Sequence, residues 1–341
     1  MSGMPIAPLL YGALPHATLD AALSVLHRFP MPYVVWPQLP QRSFRERSVV
    51  QAAYGFPGVV IDEQQRRVFV QRTVSESSMP QLALDFLQRR DARAAMTPAE
   101  AAGLFAVLPL LQSQQEQIGC KGQLLGPISL AAQLTDDAQN PLISDSVLFE
   151  GLVQHLCQRA RWQAELLQRT NRPVLLCLDE PFIDVISSPF LSIDQDELWM
   201  GLARVLDAIP VLRGLAISSD VPLAPLCELP IRVLMVNSSD YAQRIIDAAP
   251  HIHAFMQRGG ILACGCVPVV GDGMRASHAL AGMHALLAQL HQAGIAYTLM
   301  REQVMIMPVS SLGQTTVEIA EEVIAVTCEV ANALNQALCS E

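Results

Sequence analysis

Charge is scarce in this sequence: charged residues make up 16% of 341 positions, and aromatic residues only 5%. So few aromatics argue against a stacking platform for single-stranded nucleic acid. A formal net charge of −10 argues against any polyanion partner, which would need a basic face that the chain does not display. Hydrophobic residues reach 51%, yet no run of about 18 of them is uninterrupted, so a membrane span is not expected. Met1–Leu10 lacks a basic segment leading into a long apolar stretch, so a secretory signal is not expected and a cytoplasmic location is. The eight cysteines (Cys120, Cys157, Cys177, Cys227, Cys264, Cys266, Cys328 and Cys339) are scattered, several within apolar runs. They are expected to be reduced and to pack as small hydrophobes.

What is present is a rhythm. Eight short, near-continuously apolar runs are candidate strands buried on both faces: Pro8–Gly12, Tyr33–Trp36, Gly119–Leu124, Val174–Leu178, Gly214–Ser218, Val233–Asn237, Ile261–Val267 and Val304–Met307. Between them lie helical patterns at Leu19–His27, Pro98–Gln112, Leu148–Thr170, Gln195–Ala208, Tyr241–Arg258 and Met274–Gln292, with Thr316–Leu338 closing the chain. Eight alternating units predict an α/β fold, a single (βα)8 TIM barrel over residues 1–341. A doubly wound open sheet competes, but no Gly-rich dinucleotide turn supports it. Pro57–Arg72 reads as a β-hairpin inserted after the second strand, which would place it over the C-terminal mouth as a pocket wall or partner surface.

In such barrels reactive groups come from strand C-termini. The first strand leads to His16, suited to acid–base work or to capping the next helix. The third carries Lys121 and Gln123, and the fourth ends in Asp179 and Glu180. The later strands bring Ser218, Asp220, Asn237 and Ser310, with Tyr241 close behind. Catalytic candidates are therefore Asp179, Glu180 and His16; the remaining seven are candidates for substrate binding. Asp179 and Glu180 read equally as acids that cap a loop or pair with Lys121 or an arginine. Cys264 and Cys266 share one face of a strand, a conceivable soft-metal pair, but two ligands are not four. His251 and His253 diverge on a helix and do not form a metal pair.

Gly126-Pro127-Ile128-Ser129, Leu178-Asp179-Glu180-Pro181 and Pro308-Val309-Ser310-Ser311-Leu312-Gly313 resemble the catalytic half of cobalamin-independent methionine synthases, within the uroporphyrinogen decarboxylase-like superfamily. Trp36-Pro37-Gln38-Leu39-Pro40 with Arg42-Ser43-Phe44, and Gly259-Gly260-Ile261-Leu262 leading to Val267-Pro268, look like a smaller branch of single-domain relatives. The resemblance runs from about Gly12 to Leu338. It implies methyl transfer to a thiol activated by zinc, held by a His-x-Cys pair, a carboxylate and a late Cys. Those places fall on Ala216, Ser218, Asn237 and Ser310, none of them a zinc ligand at neutral pH, and a slip of one residue offers nothing better. No metal or other cofactor is therefore expected, with a corrinoid or folate methyl donor as the remaining route. By the same resemblance Asp179 would read the amino group of a small ligand. Two alternatives stand beside this: an inactive barrel that serves as a binding partner through Pro57–Arg72, and a tetrapyrrole decarboxylase using Arg42, Arg45 and Arg47. A corrinoid-carrying or other protein partner would suit the first two readings.

Overall fold

The computed structural model describes residues 6–29, 31–113, 119–270 and 275–338; Cys339 and Met274 lie outside them. Eight parallel strands form one sheet: β1 (Ala7–Pro8), β2 (Tyr33–Val35), β3 (Gly119–Leu125), β4 (Val174–Glu180), β5 (Leu212–Ile217), β6 (Val233–Asn237), β7 (Ile261–Val267) and β8 (Val304–Pro308). Their spatial order is β1-β8-β7-β6-β5-β4-β3-β2. The two ends meet just past the strands. Ala13 bridges Gln38, the Leu14 N–H donates to the Gln38 carbonyl at 2.9 Å, and the Gln38 N–H to the Gly12 carbonyl at 3.1 Å. That contact closes the ring, and with helices outside it the fold is the α/β TIM barrel.

Side chains alternate across each strand, dividing between the barrel interior and the helical layer. Inside the barrel sit Leu9, Tyr11, Tyr33, Leu175, Cys177, Ala216, Met235, Ala263, Met305 and Met307. Leu176, Leu178, Leu215, Ile217, Val236, Leu262 and Ile306 face the helical layer instead. Cys264 and Cys266 do share a face, and it is this outer one. Burial pushes the Cys264 thiol up to about 12 and Cys266 further still. The pair packs against helices and does not reach the mouth.

Several helical stretches differ from the sequence reading, two of them instructively. Tyr241–Arg258 is two helices, Ala242–Asp247 and Ala249–Gln257, because Pro250 enters the first turn of the second and supplies no N–H. Arg72–Leu87 is a helix that no apolar stripe announces. Ahead of it, Val59–Asp62 and Arg67–Val70 pair antiparallel, and the second of these strands pairs in parallel with Thr135–Asp136. No helix among the described residues is long and apolar enough to cross a membrane.

Candidate functional site

A cavity of about 500 Å³ opens at the C-terminal ends of the strands. Tyr11 and Ala13 reach it from beyond β1, Leu125 from β3, Asp179 from β4, and Ala216 and Ser218 from β5. In register, Asp179 lies opposite Leu125 on one side and Ala216 on the other, so it faces the barrel interior at the top of its strand. Its Oδ1 is enclosed and has no hydrogen-bond partner. Burial pushes its carboxyl up to about 6, and the Lys121 ammonium opposes the rise. The Tyr11 hydroxyl lies in the field of Asp179 and near Ser218, also without a partner at hydrogen-bonding geometry. Burial raises that phenol as well, with Asp179 adding to the rise.

Lys121 and Gln123 sit deeper, beneath the cavity rather than on its wall. The Lys121 ammonium donates to the Tyr11 carbonyl at 2.5 Å. Gln123 Nε2 donates to the Trp36 carbonyl at 2.9 Å, while its Oε1 has no partner. Gly12 makes room for this side chain: at φ +140° it holds a conformation that L side chains rarely adopt, and a Cβ there would lie 2.5 Å from the Gln123 amide carbon. The chain can close β1 onto β2 because that residue is glycine.

Glu180, next along β4, turns to the other face. Its Oε1 accepts the Ile128 N–H at 3.0 Å and its Oε2 the Ser129 N–H at 2.7 Å, at the start of helix Pro127–Gln133. Burial pushes its carboxyl up to about 7, against the stabilising pull of those donors. Gly126 leaves space for the acid, since a Cβ there would lie 2.2 Å from Glu180 Oε1. Of the two acids, one faces the cavity and the other anchors a helix.

The remaining expected residues do not join Asp179, apart from Ser218. His16 is buried on the other side of the first loop, with Nε2 3.6 Å from Glu321 of the final helix, Val317–Leu338. The helix after it is capped by Thr18, whose hydroxyl accepts the Ala21 N–H at 3.4 Å. Asp220 is exposed and paired with Arg244 at 2.5 and 3.1 Å. Tyr241 precedes helix Ala242–Asp247, with Asp240, Asp220 and Asp184 around it, and does not line the cavity. Asn237 folds onto its own loop: Oδ1 accepts the N–H groups of Ser239 and Asp240, and Nδ2 donates to Asp240. Ser310 is exposed off the cavity, and its neighbour Ser311 lines it instead. These residues were expected at the pocket because they end strands; the loop turns that follow carry them away from it.

The sequence reading passed over several lining residues. Tyr11 looked like one more apolar strand position, and Gln133 and Gln314 lie in a helix and a loop with no motif. Val68 comes from the antiparallel pair Val59–Asp62 and Arg67–Val70, and Arg66 from the turn between them. Glu46 comes from the segment after β2, as do Phe44 and Arg47, which the sequence offered only within a motif and for the decarboxylase alternative. Glu46 is engaged, accepting the Leu39 N–H at 2.9 Å and pairing with Arg42. Among the described residues, no three His, Cys, Asp or Glu side chains converge as a metal ion would need.

No protein-family model and no curated protein matches the sequence. Solved structures do resemble the fold. A methyltransferase from Methanosarcina mazei aligns over 96% of this chain and 94% of its own, at 14% identity and a TM-score of 0.57. A Listeria monocytogenes protein assigned as a vitamin-B12-independent methionine synthase aligns over 97% and 99%, at 12% identity and 0.57. The B12-independent methionine synthase from Shewanella sp. W3-18-1, solved with selenomethionine, aligns over 69% and 68%, at 13% identity and 0.50. The chain therefore has a methionine synthase-like barrel fold, and at these identities the likeness is one of fold alone.

Proposed function

We propose that this barrel binds a small amine-bearing ligand in its C-terminal mouth and acts as a methyltransferase that does not use a zinc-bound thiolate. The observation that carries the reading is Asp179: an enclosed, unpartnered carboxylate oxygen at the wall of a cavity about 500 Å³ in size. A buried anion without a partner is costly, and a cationic amine would relieve that cost. Tyr11 and Ser218 stand beside it to fix the ligand's orientation.

At the places where the resemblance would put zinc, Ala216 offers a methyl group and Ser218 a neutral hydroxyl. Asn237 has its amide engaged in its own loop, and Ser310 is exposed off the cavity. That donor set does not fit zinc, so the metal has no part in the proposed reaction. The methyl group would come from a corrinoid or folate donor.

A thermal-shift screen of amino acids and simple amines, followed by calorimetry on Asp179→Asn, tests the pocket. Amine binding that survives in the variant would sink it. Metal analysis of protein purified without added zinc tests the second half, and one equivalent of tightly held zinc would overturn it. Methyl transfer from methylcobalamin or methyltetrahydrofolate to the captured ligand, read by mass, tests the reaction.

A further inference from the structure

The arginines around the mouth fall into two sets. Arg42 pairs with Glu46. Arg45 pairs with Glu63 at 2.7 Å and Glu100 at 2.9 Å, and Arg72 with Asp136, Asp145 and Glu76. Arg47 and Arg66 have no ion-pair partner among the described residues, and these are the two that line the cavity. Arg47 Nε is enclosed without a hydrogen-bond partner. Both guanidinium carbons lie 5.5 Å from the centre of the buried Phe44 ring, which also lines the cavity.

This arrangement is suited to binding. A guanidinium resting on an aromatic face keeps its in-plane N–H donors free, and the contact removes much of the freedom a long side chain would otherwise lose on meeting a ligand. Arg66 sits at φ +52°, left-handed backbone at the hairpin turn where glycine or asparagine is the easier choice. The carboxylates lining the cavity are Glu46, already neutralised by Arg42, and Asp179. In a chain of net charge −10 the mouth thus presents two unpaired cations and one unpaired carboxylate.

We propose that Arg47 and Arg66 form an anion subsite, taking a carboxylate or phosphate group on the same ligand whose amine meets Asp179. The ligand class is then a molecule with separate cationic and anionic ends. This rests on reading the mouth as a ligand pocket, but it is tested apart from Asp179.

Calorimetry at low ionic strength, with succinate and inorganic phosphate as anion probes and propylamine as the amine probe, separates the two. Wild type is expected to bind at least one anion. Arg47→Gln and Arg66→Gln should each weaken that binding about 5-fold or more, because each removes one charge-assisted contact. Arg47→Lys, which keeps the charge but loses the flat fork, should fall between; with the exposed Arg66→Gln it keeps the test readable should Arg47→Gln fail to fold. Asp179→Asn should leave anion binding intact or stronger while abolishing that of propylamine. Preference for phosphate over succinate, or the reverse, supports the subsite and names its anion. Equal anion binding by wild type and both Gln variants, or none by wild type at about 10 mM, overturns the subsite. Failure of wild type to bind propylamine while it still binds an anion would fault the Asp179 reading and leave this one standing.

Discussion

On the side of the mouth where β6 and β7 end, the polar groups are committed to the protein itself. Asn237 closes its own loop, Ser238 and Ser239 donate to the carbonyls of Gly265 and Cys266, and Arg244, past β6, takes up Asp220 from the loop after β5. Across the barrel, where β1, β2, β4 and β5 end, the Tyr11 hydroxyl, Asp179 Oδ1 and Arg47 Nε are enclosed and unsatisfied. Both sides are built from strand ends carrying similar residue types. The difference between a wall and a site is whether the polar groups have been left without partners, since buried polar groups are normally paired.

The strongest way to break that comparison is Asp179→Asn. Amine binding should fall on the order of 100-fold, the scale of losing one desolvated charge from a pair. Stability should move the other way. Asp179 titrates near 6 in the fold against an ordinary value of 3.8, so its contribution is fully present below the unfolded value and is lost as pH rises through 6. At pH 8 its ionised form costs the fold roughly 2–3 kcal/mol, which the amide does not carry. Denaturation curves should show the variant equal or more stable at pH 8, with no gain at pH 4. Amine affinity of wild type should climb with pH through about 6 and then level off; a flat profile between pH 5 and 8 would remove Asp179 from the binding step.

Glu180→Ala sharpens the comparison along a single strand. It strips the acceptor from the Ile128 and Ser129 N–H groups and leaves both buried, so a loss of about 3 kcal/mol is expected in urea denaturation. Ligand binding, scored on the folded fraction, should hold. A loss below about 1 kcal/mol would mean the acid is not what anchors that helix.

These two acids also show what the sequence could and could not disclose. Strands β6 and β7 were legible to the residue, because strands covered on both faces are apolar almost without interruption. Period-two alternation puts Asp179 and Glu180 on opposite faces, but it cannot say which face is the interior until the neighbouring strands are in register. Helix Arg72–Leu87 left no signal, since it buries only Ser75, Leu82 and Asp85 and carries Pro80 inside it. Tyr11 and Arg66 were hidden for different reasons. One is an ordinary apolar-run residue whose hydroxyl matters only once β5 is beside it, and the other lies in a polar turn whose position over the mouth is tertiary.

Asn237→Ala tests the satisfied side. It removes two accepted backbone bonds and one donated bond in a partly exposed loop, so about 1 kcal/mol of stability should go, with amine binding unchanged. The smallest effect is expected from Asp220→Asn. Its pair with Arg244 is fully exposed, the setting in which Coulomb attraction is screened and ordering two side chains offsets most of the gain. Neither the melting temperature nor amine affinity should move measurably, at low or high salt. A clear loss of affinity in this variant would mean that the far side of the mouth reaches the ligand after all, and the division between a spent half and a receptive half would have to be redrawn around β5.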